Sequence, residues 1–412
     1  MKTKTLFYNA RVHTQAAALV VDSMAIHKGR IVAIGNNLQH DPDFKSYSRI
    51  DLRKRTIIPG LVDAHTHFYY FALTKGTVWL HDIDTIEGCQ AEIKKFAARK
   101  KKTEWILGEG YSPDRFKKRI EPDRHMLDAV TGGRPAFIFS KDQHTAWVNS
   151  RALELAGITR KTKTPPGGAI ERDASGEPNG ILREGSAYAR VFDLIPHPTH
   201  KQIDPLYREV LQFAWSQGVT GVHSFDSPEA FTYFSRLAET GKVGLRANYY
   251  FGAAMLPELH DAKIYYGTGT EFFRVAGVKI FADGSLGSQS ALCFNKYIGS
   301  KDNYGIETTS TREMARLIKS AAKLGLPSAV HAIGDKAAAN VLDAFETAPR
   351  ADFGARHRIE HLQLVRKKDL PRMKRLGIVA SMQPSHCPSD IYMVRKYWGK
   401  LGSNAYAFRS VM

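Results

Sequence analysis

The amino-acid sequence predicts an α/β fold in which a parallel barrel of the (β/α)8, TIM-like type carries a small N-terminal β-sandwich and an inserted subdomain. Two observations lead to this prediction. The first 60 residues contain short alternating or apolar runs separated by Gly and Asn turns, which is typical of an all-β segment. From residue 61, strand-like runs alternate with helical patterns, as in a parallel sheet. A chain of 412 residues is long enough for both parts.

The predicted N-terminal domain covers residues 1–60 and forms the N-terminal part of the sandwich. Its strands are predicted at residues 5–12, 18–27, 30–35 and 48–58. The barrel domain is predicted over residues 61–412, with strands at 61–67, 219–224, 245–251, 275–281, 328–331, 358–361 and 378–382. Helices are predicted between these strands, for example at residues 310–324, where Ser310 and Glu313 match a capping box.

The segment between the first two barrel strands, about residues 70–205, is too long for a single crossover. It contains predicted strands of its own at residues 105–108 and 136–140, so we interpret it as an inserted subdomain that could roof the site. No eighth strand pattern follows residues 378–382, where a helix is predicted around residues 391–401. We therefore expect a barrel that is truncated before strand eight.

The composition argues against several classes of protein. A net charge of +18 could attract nucleic acid or an anionic surface. The densest basic run, residues 94–102, lies on a helix predicted to open at Asp84, and such charge is usually a solvated helix face. No nucleic-acid-binding motif accompanies it, so no specific nucleic acid is expected.

Three widely spaced cysteines argue against a disulfide framework, and no signal peptide or membrane-spanning run is recognisable. We expect a cytoplasmic protein without membrane attachment, and a homodimer is compatible with this composition.

Two histidines one residue apart end the apolar segment at residues 57–68. Alternate side chains of a strand point to the same face, so His65 and His67 share one face. A lone histidine is more often a core or surface residue, but a His-x-His pair at a strand end is the geometry of a metal site.

Further histidines end two other predicted barrel strands. His331 ends the fifth strand, His361 ends the sixth, and Lys279 lies inside the apolar fourth strand. Catalytic groups of such barrels lie at the carboxyl ends of the strands, so these side chains should meet the His65 pair at one mouth. Each histidine alone could be a core residue, but their convergence predicts metal ligation. Lys279 should lose its proton on burial, unless it pairs with an acid such as Asp283 or Glu360.

Motifs along the whole chain resemble those of the amidohydrolase superfamily, whose first barrel strand carries PG-(L/F)-(V/I)-D-x-H-x-H. The chain is most similar to the amidase-like branch that includes N-substituted formamide deformylase. The motifs stand in family order at residues 57–68, 141–150, 277–288, 330–335, 358–361 and 382–386.

This resemblance implies a divalent metal centre, with two zinc ions expected and manganese, iron or cobalt as alternatives. It implies His65, His67, Lys279, His331 and His361 as the metal ligands, with Lys279 carrying carbon dioxide as a carbamate. The implied activity is hydrolysis, by a metal-activated hydroxide, of a carbon–nitrogen bond other than a peptide bond in a small-molecule amide, such as an N-acyl or N-formyl compound.

In the family, an aspartate on strand eight transfers the proton, and this sequence does not contain that strand. We therefore expect a truncated form of an active enzyme, and no catalytic residue can be assigned with certainty. The alternative is a catalytically silent barrel that binds metal or ligand. A basic protein associated with nucleic acid is a third hypothesis, which depends on net charge alone.

The resemblance also implies residues that line the substrate pocket. They are His144, Trp147 and Asn149 in the inserted subdomain, Asp283 after the fourth strand and His386 after the seventh. Local loop packing is the alternative for the first three, and an exposed loop position is the alternative for His386. Glu184 matches another family position, with a salt bridge as its alternative role. For Asp335 we favour capping of the following helix over orientation of His331.

Overall fold

The computed structural model describes residues 4–15, 20–113, 116–117, 120–141, 143, 145–165, 168–348 and 354–412. The chain divides into two compact units, the first comprising Met1–Asp63 with Trp215–Gly221 and the second Ala64–Ala214 with Val222–Met412. None of the helices in these described ranges is both long and apolar enough to cross a membrane.

The strands of the described residues are β1 Thr5–Tyr8, β2 Arg11–His13, β3 Val20–Val21, β4 Ser23–His27, β5 Arg30–Gly35, β6 Ser48–Asp51, β7 Thr56–Ile57, β8 Leu61–Thr66, β9 Val78–Trp79, β10 Ile106–Tyr111, β11 Ala136–Ser140, β12 Thr145–Val148, β13 Ala169–Arg172, β14 Pro178–Arg183, β15 Val219–Ser224, β16 Arg246–Gly252, β17 Phe273–Phe281, β18 Ser328–Ala332, β19 Arg358–His361 and β20 Val379–Ser381. The α-helices are α1 Phe68–Thr74, α2 Ile86–Ala97, α3 Arg124–Thr131, α4 Ser150–Leu155, α5 Gly185–Phe192, α6 His200–Ser216, α7 Pro228–Glu239, α8 Leu256–Asp261, α9 Thr311–Lys323, α10 Asp335–Glu346, α11 Leu370–Leu376, α12 His386–Met393 and α13 Phe408–Val411.

The N-terminal unit contains two small sheets, with strand orders β5-β4-β1-β6 and β3-β2-β7. Apolar side chains from both sheets form one cluster, which agrees with the predicted sandwich. The predicted strand at residues 5–12 is two strands, β1 and β2. The break comes at Asn9, whose φ of 53° is a left-handed conformation that asparagine tolerates better than most residues.

The barrel sheet confirms the seven predicted strands, in the order β8-β15-β16-β17-β18-β19-β20. Strands β16 to β20 pair in parallel, each with the next. In the part of the chain that the structure describes, β8 and β20 are the edge strands of this sheet, and each has one hydrogen-bonded neighbour. The carboxyl ends of the strands therefore collect the predicted histidines at one mouth.

Most helix predictions agree with the structure at their first turn, with two corrections. Helix α9 begins as expected, because the Ser310 side chain accepts a hydrogen bond from the Glu313 N–H. Helix α2 is capped by Thr85 rather than by Asp84, and it ends at Ala97, before the last part of the basic run. The helix predicted around residues 391–401 instead begins at His386, as α12, and continues as π-helical and 3-10 turns.

The inserted subdomain has its own six-stranded sheet, in the order β13-β14-β12-β11-β10-β9. Two apolar clusters form around it, one of which contains the fully buried Trp147. The insertion therefore folds around a core of its own, as expected for a segment of this length.

Candidate functional site

The structure brings the strand-end histidines together at the barrel mouth. The ring centroids of His65 and His361 lie 4.6 Å apart, and those of His331 and His361 also lie 4.6 Å apart. The ring of His67 lies 5.9 Å from that of His65. These four imidazoles come from three strands and the turn after β8, so the folded barrel, rather than local sequence, creates the cluster.

The backbone at the end of β19 departs from strand geometry. His361 has a φ of 72° and Leu362 a φ of 43°, both in the left-handed region. Consecutive strand residues normally face opposite sides of a sheet. Because the chain turns at His361, both Glu360 and His361 contact the His65 side chain. Such a conformation costs about 1–3 kcal/mol at a non-glycine residue and is concentrated at functional sites.

Three of the imidazoles are fixed by a hydrogen bond at one ring nitrogen. His65 Nδ1 lies 2.6 Å from Glu360 Oε2, and His361 Nδ1 lies 2.8 Å from Gln383 Oε1. His331 Nε2 lies 3.0 Å from the Gly284 carbonyl oxygen. A nitrogen that donates to a carboxylate or carbonyl leaves the other nitrogen as the unprotonated one, which is the form that binds metal.

The protonation states of the rings suit metal binding. Burial lowers the pKa of His331 to about 4, with the Lys279 charge acting in the same direction. Burial also lowers the pKa of His361 well below its usual value and lowers that of His65, although Glu360 opposes the latter shift. His331 and His361 are therefore neutral at pH 7, and neutral imidazole is the ligand form.

Lys279 is buried without a hydrogen-bond partner. Its side chain is 6% exposed, and Nζ makes no hydrogen bond within the described residues. The ammonium lies over two aromatic rings, 4.8 Å from the centroid of Phe225 and 5.0 Å from that of Phe281. Burial lowers the pKa of Lys279 to about 8. Neither Asp283 nor Glu360, the acids considered as partners, hydrogen-bonds to Nζ, although the Glu360 charge raises the pKa of Lys279 against the effect of burial.

The Asp283 carboxylate organises the loops behind His331. It is 2% exposed and accepts hydrogen bonds from the backbone N–H groups of Leu292, Ile333 and Gly334. Burial raises its pKa to about 7, against the effect of these hydrogen bonds. Its Oδ1 also lies 3.6 Å from His331 Nε2. This arrangement gives Asp283 a positioning role, and its substrate contact stays a prediction.

Asp335 lies in the first turn of α10, where the backbone N–H groups of Asp335 and Lys336 hydrogen-bond to its carboxylate, so the favoured role at the start of this helix agrees with the structure and orientation of His331 does not. Asp335 is the first residue of α10, whose N-cap is Gly334, and its carboxylate accepts a hydrogen bond from the Phe294 N–H at 3.0 Å. It therefore tethers the loop after β17 to α10, and Asp283 is the carboxylate beside His331.

Two predicted substrate residues of the inserted subdomain are structural. Trp147 is fully buried, and its Nε1 donates to the Asp123 carbonyl oxygen at 2.7 Å. Asn149 is 1% exposed and caps α4, with its Oδ1 accepting from the Ala152 N–H at 3.0 Å. The polar atoms of both residues bind groups of the subdomain itself, so the structure gives them a structural role, and their substrate contact stays a prediction. His144, the third residue of this set, lies outside the described residues.

A cavity of about 720 Å³ adjoins the histidine cluster. Its lining includes His361 and His386, and the contact of His386 with substrate stays a prediction. The two rings are stacked, with centroids 6.0 Å apart and an interplanar angle of 12°. The subdomain contributes Lys141 and Arg183, and the turn after β19 contributes Gln363, none of which was predicted. Glu184, a weaker candidate, is exposed and precedes α5 with a φ of 65°.

Polar and aromatic side chains that the sequence analysis missed lie inside the barrel beneath the histidines. Phe225 is stacked between His65 at 4.2 Å and Tyr250 at 4.5 Å. Arg358 and Glu360 form a buried ion pair, with Nε 2.7 Å from Oε1. The sequence contains one indication of this ion pair. Arg358 and Glu360 are two positions apart in an apolar strand, so their side chains must lie on the same face.

His223, on β15, should make the stability of the fold sensitive to acid. Its Nδ1 faces Tyr250 and Arg358, and Glu360, His65 and Arg274 act on it from further away. Burial, then the Arg358 charge, lowers its pKa from 6.5 to about 4. Between pH 6.5 and about pH 4, the His223 imidazole is protonated in the unfolded chain but neutral in the folded protein. The free energy of unfolding therefore decreases as the pH falls through this range, by roughly 3 kcal/mol for this residue.

We therefore expect His223→Asn, which keeps a hydrogen-bond acceptor, to flatten the acid side of the stability profile. The measurement is the apparent Tm at pH 7 and pH 4.5, compared with His260→Asn at an exposed histidine of α8. A drop in Tm for His223→Asn as large as that of the wild type would contradict the assignment.

The donor set fits a metal centre by its chemistry, although the rings are closely packed. Within the described ranges no group of three or more His, Cys, Asp or Glu side chains is arranged so that it could hold a metal ion. The ring of His361 instead contacts those of His65 and His331. Their tautomers are nevertheless fixed for ligation, and the unpaired Lys279 Nζ lies buried beside them. Ligation would therefore require the rings to separate.

These features define an α/β barrel whose candidate site lies at the carboxyl ends of the strands, where active sites of such barrels are found. Comparison with known families gives the particular family: the model described as the amidohydrolase family matches residues 49–412. The chain belongs to the amidohydrolase family.

Individual relatives agree with this assignment. The chain is 31% identical to the protein LONG AFTER FAR-RED 3 of Arabidopsis thaliana, over 99% of this chain and 73% of that protein. It is 26% identical to N-substituted formamide deformylase of Arthrobacter pascens, over 90% of this chain and 71% of that protein. The solved structure of a metal-dependent hydrolase from Pyrococcus horikoshii matches with a TM-score of 0.84 and 26% identity, over 100% of this chain and 80% of that one.

Proposed function

We propose that this protein is a metal-dependent hydrolase of carbon–nitrogen bonds other than peptide bonds, acting on a small N-acyl or N-formyl amide. The observation that carries the proposal is the convergence of neutral imidazoles and the unpaired Lys279 amine beside a cavity of about 720 Å³. Membership in the amidohydrolase family supports it, as does similarity to a deformylase of N-substituted formamides.

The proposed ligands of the metal are His65, His67, Lys279, His331 and His361, with two zinc ions as the expected metal and manganese, iron or cobalt as alternatives. When bound, the metal would lower the pKa of water to near 7 and polarise the substrate carbonyl. The neutral Lys279 amine would bond to the carbon of carbon dioxide and release a proton, which converts an unpaired amine into an anionic carbamate. A buried amine with a pKa of about 8 is neutral often enough for this reaction.

The remaining groups of the site orient the ligands and the substrate. Glu360 and Gln383 hold the rings of His65 and His361. His386 and Gln363, whose Nδ1 and Nε2 lie 3.4 Å apart, border the cavity next to His361 and offer polar contacts to an amide. Lys141, on the subdomain side of the cavity, adds positive charge.

A catalytically silent barrel that binds metal or ligand is the second candidate function. One observation favours it: Asp226 and Asp283, the carboxylates that follow β15 and β17, are buried and accept hydrogen bonds from backbone N–H groups. Neither is therefore placed to transfer a proton. Absence of a general acid–base group costs about 10²–10⁴-fold in rate.

Metal analysis and an amide panel test the proposal together. We expect about two equivalents of divalent metal per chain, consistent with paired ligand sets, and turnover of at least one N-formyl or N-acyl amine. His331→Ala should lower both the metal content and the turnover. His260→Ala, at an exposed histidine, should change neither of them. Metal without turnover would support the silent barrel, and a protein that binds no divalent metal would contradict the hydrolase and leave a barrel that binds a ligand without metal.

A further inference from the structure

Arg358 occupies the centre of the barrel interior. It is the first residue of β19, and its side chain is 7% exposed. Its Nη2 donates to the Ala64 carbonyl oxygen on β8 at 2.6 Å and to Ser381 Oγ on β20 at 2.8 Å. One guanidinium nitrogen therefore bonds to both edge strands of the barrel sheet.

The same side chain reaches two further strands. Its Nη1 lies 2.8 Å from His223 Nδ1 on β15 and 3.2 Å from the Tyr250 hydroxyl on β16. In the described part of the chain, β8 and β20 have no hydrogen-bonded neighbour on their outer sides. The Arg358 side chain thus connects these two edge strands, which backbone hydrogen bonds of the described residues do not join.

Arg358 also acts on the histidine cluster through Glu360. Its Nε donates to Glu360 Oε1 at 2.7 Å, and the other oxygen of this carboxylate lies 2.6 Å from His65 Nδ1. Glu360 is fully buried, so its position is set by these two partners. Fixing the carboxylate fixes the ring orientation of His65 and the tautomer in which its Nε2 is unprotonated.

We propose that Arg358 is a positioning residue that joins the two edge strands of the barrel and, through Glu360, orients His65. The part that concerns His65 rests on the proposed function, whereas the connection of the strands does not. The simpler alternative is that Arg358 only neutralises Glu360, in which case any cation would serve. The geometry favours positioning, because a planar guanidinium reaches acceptors on several strands at once and a lysine ammonium cannot.

The test compares Arg358→Lys and Arg358→Gln with the wild type by hydrogen exchange and metal affinity. In both variants we expect amides of β8 and β20 to exchange about tenfold faster or more, since a hydrogen bond to a charged group is lost at each edge, while β17 and β18 are unchanged. Zinc affinity, measured by chelator competition, should fall about 10–100-fold, as for other partners of metal ligands. The control is Arg372→Gln, which removes the ion pairs of an α11 arginine with three carboxylates. It should leave the exchange rates of β8 and β20 and the zinc affinity unchanged.

Wild-type exchange at β8 and β20 in Arg358→Lys would overturn the proposal in favour of simple charge neutralisation. Faster exchange across every strand alike would overturn it too, because it would show a general loss of packing. If Arg358→Gln does not fold, Arg358→Lys, which keeps the charge, decides the question. If the wild type binds no zinc, the exchange pattern still decides the connection of the strands, and the proposed function is what fails.

Discussion

Replacing Lys279 by methionine is expected to stabilise the metal-free protein and to abolish turnover. The Lys279 ammonium is buried without a hydrogen-bond partner, and burial lowers its pKa from 10.5 to about 8. At pH 7 such a shift corresponds to a cost of roughly 3 kcal/mol for keeping the charge. Attraction to the rings of Phe225 and Phe281 offsets part of it, by about 0.5–2 kcal/mol. Methionine fills the same volume without a charge, so we expect a net gain of about 1–2 kcal/mol.

Turnover should respond in the opposite direction to stability. Methionine cannot form a carbamate, so the proposed anionic ligand itself is lost, and activity should fall by more than the roughly 100-fold that loss of a partner of a metal ligand costs. A stable but inactive variant is the pattern expected where a site keeps a destabilising group for its chemistry.

Thermal unfolding of the metal-stripped protein, together with activity after reconstitution with zinc, measures both effects of Lys279→Met. Lys319→Met, at an exposed position of α9, is the matched control and should change neither quantity. A lower Tm for Lys279→Met would show that the ammonium is stabilised in the fold and would count against a role as an amine held ready for modification.

The barrel could be predicted from the sequence because its strands are apolar runs separated by amphipathic helices. Strands β15 and β19 have the predicted bounds, and the other barrel strands differ by at most a few residues. The meeting of His65, His331 and His361 followed from one rule, that the carboxyl ends of parallel strands share one mouth. The left-handed turn at His361 could not be predicted, because it depends on packing across the barrel rather than on local preference.

Residues that depend on side-chain direction were predicted less well. Trp147 and Asn149 match a motif, but a motif does not show how deeply a side chain is buried, and both side chains are covered by the subdomain. Glu360 was considered only as a partner for Lys279, whereas it bonds to His65, which is 295 positions away in the sequence. Long-range pairs of this kind cannot be identified from a single sequence.

Replacing Glu360 by glutamine should have the largest effect on stability. The carboxylate is fully buried, and the partners Arg358 and His65 hold its pKa down at about 2, against the effect of burial. A neutral glutamine leaves the Arg358 charge buried without its counter-ion. Removing one partner of a buried ion pair costs about 3–5 kcal/mol, far more than loss of an exposed pair. Glu313→Gln, which breaks the exposed pair with Arg316, is the control and should cost less than about 1 kcal/mol.

The double variant Arg358→Met with Glu360→Gln separates the cost of an unpaired charge from the cost of lost geometry. If the unpaired charge dominates, the double variant should recover much of the stability that Glu360→Gln loses, because it also removes the buried guanidinium charge that Glu360→Gln leaves without a counter-ion. Zinc affinity should not recover, since the charged link from Arg358 through Glu360 to His65 is absent in both variants. Recovery of stability without recovery of metal affinity would show that the pair is kept for the orientation of the site, whereas recovery of both would contradict a positioning role for Arg358.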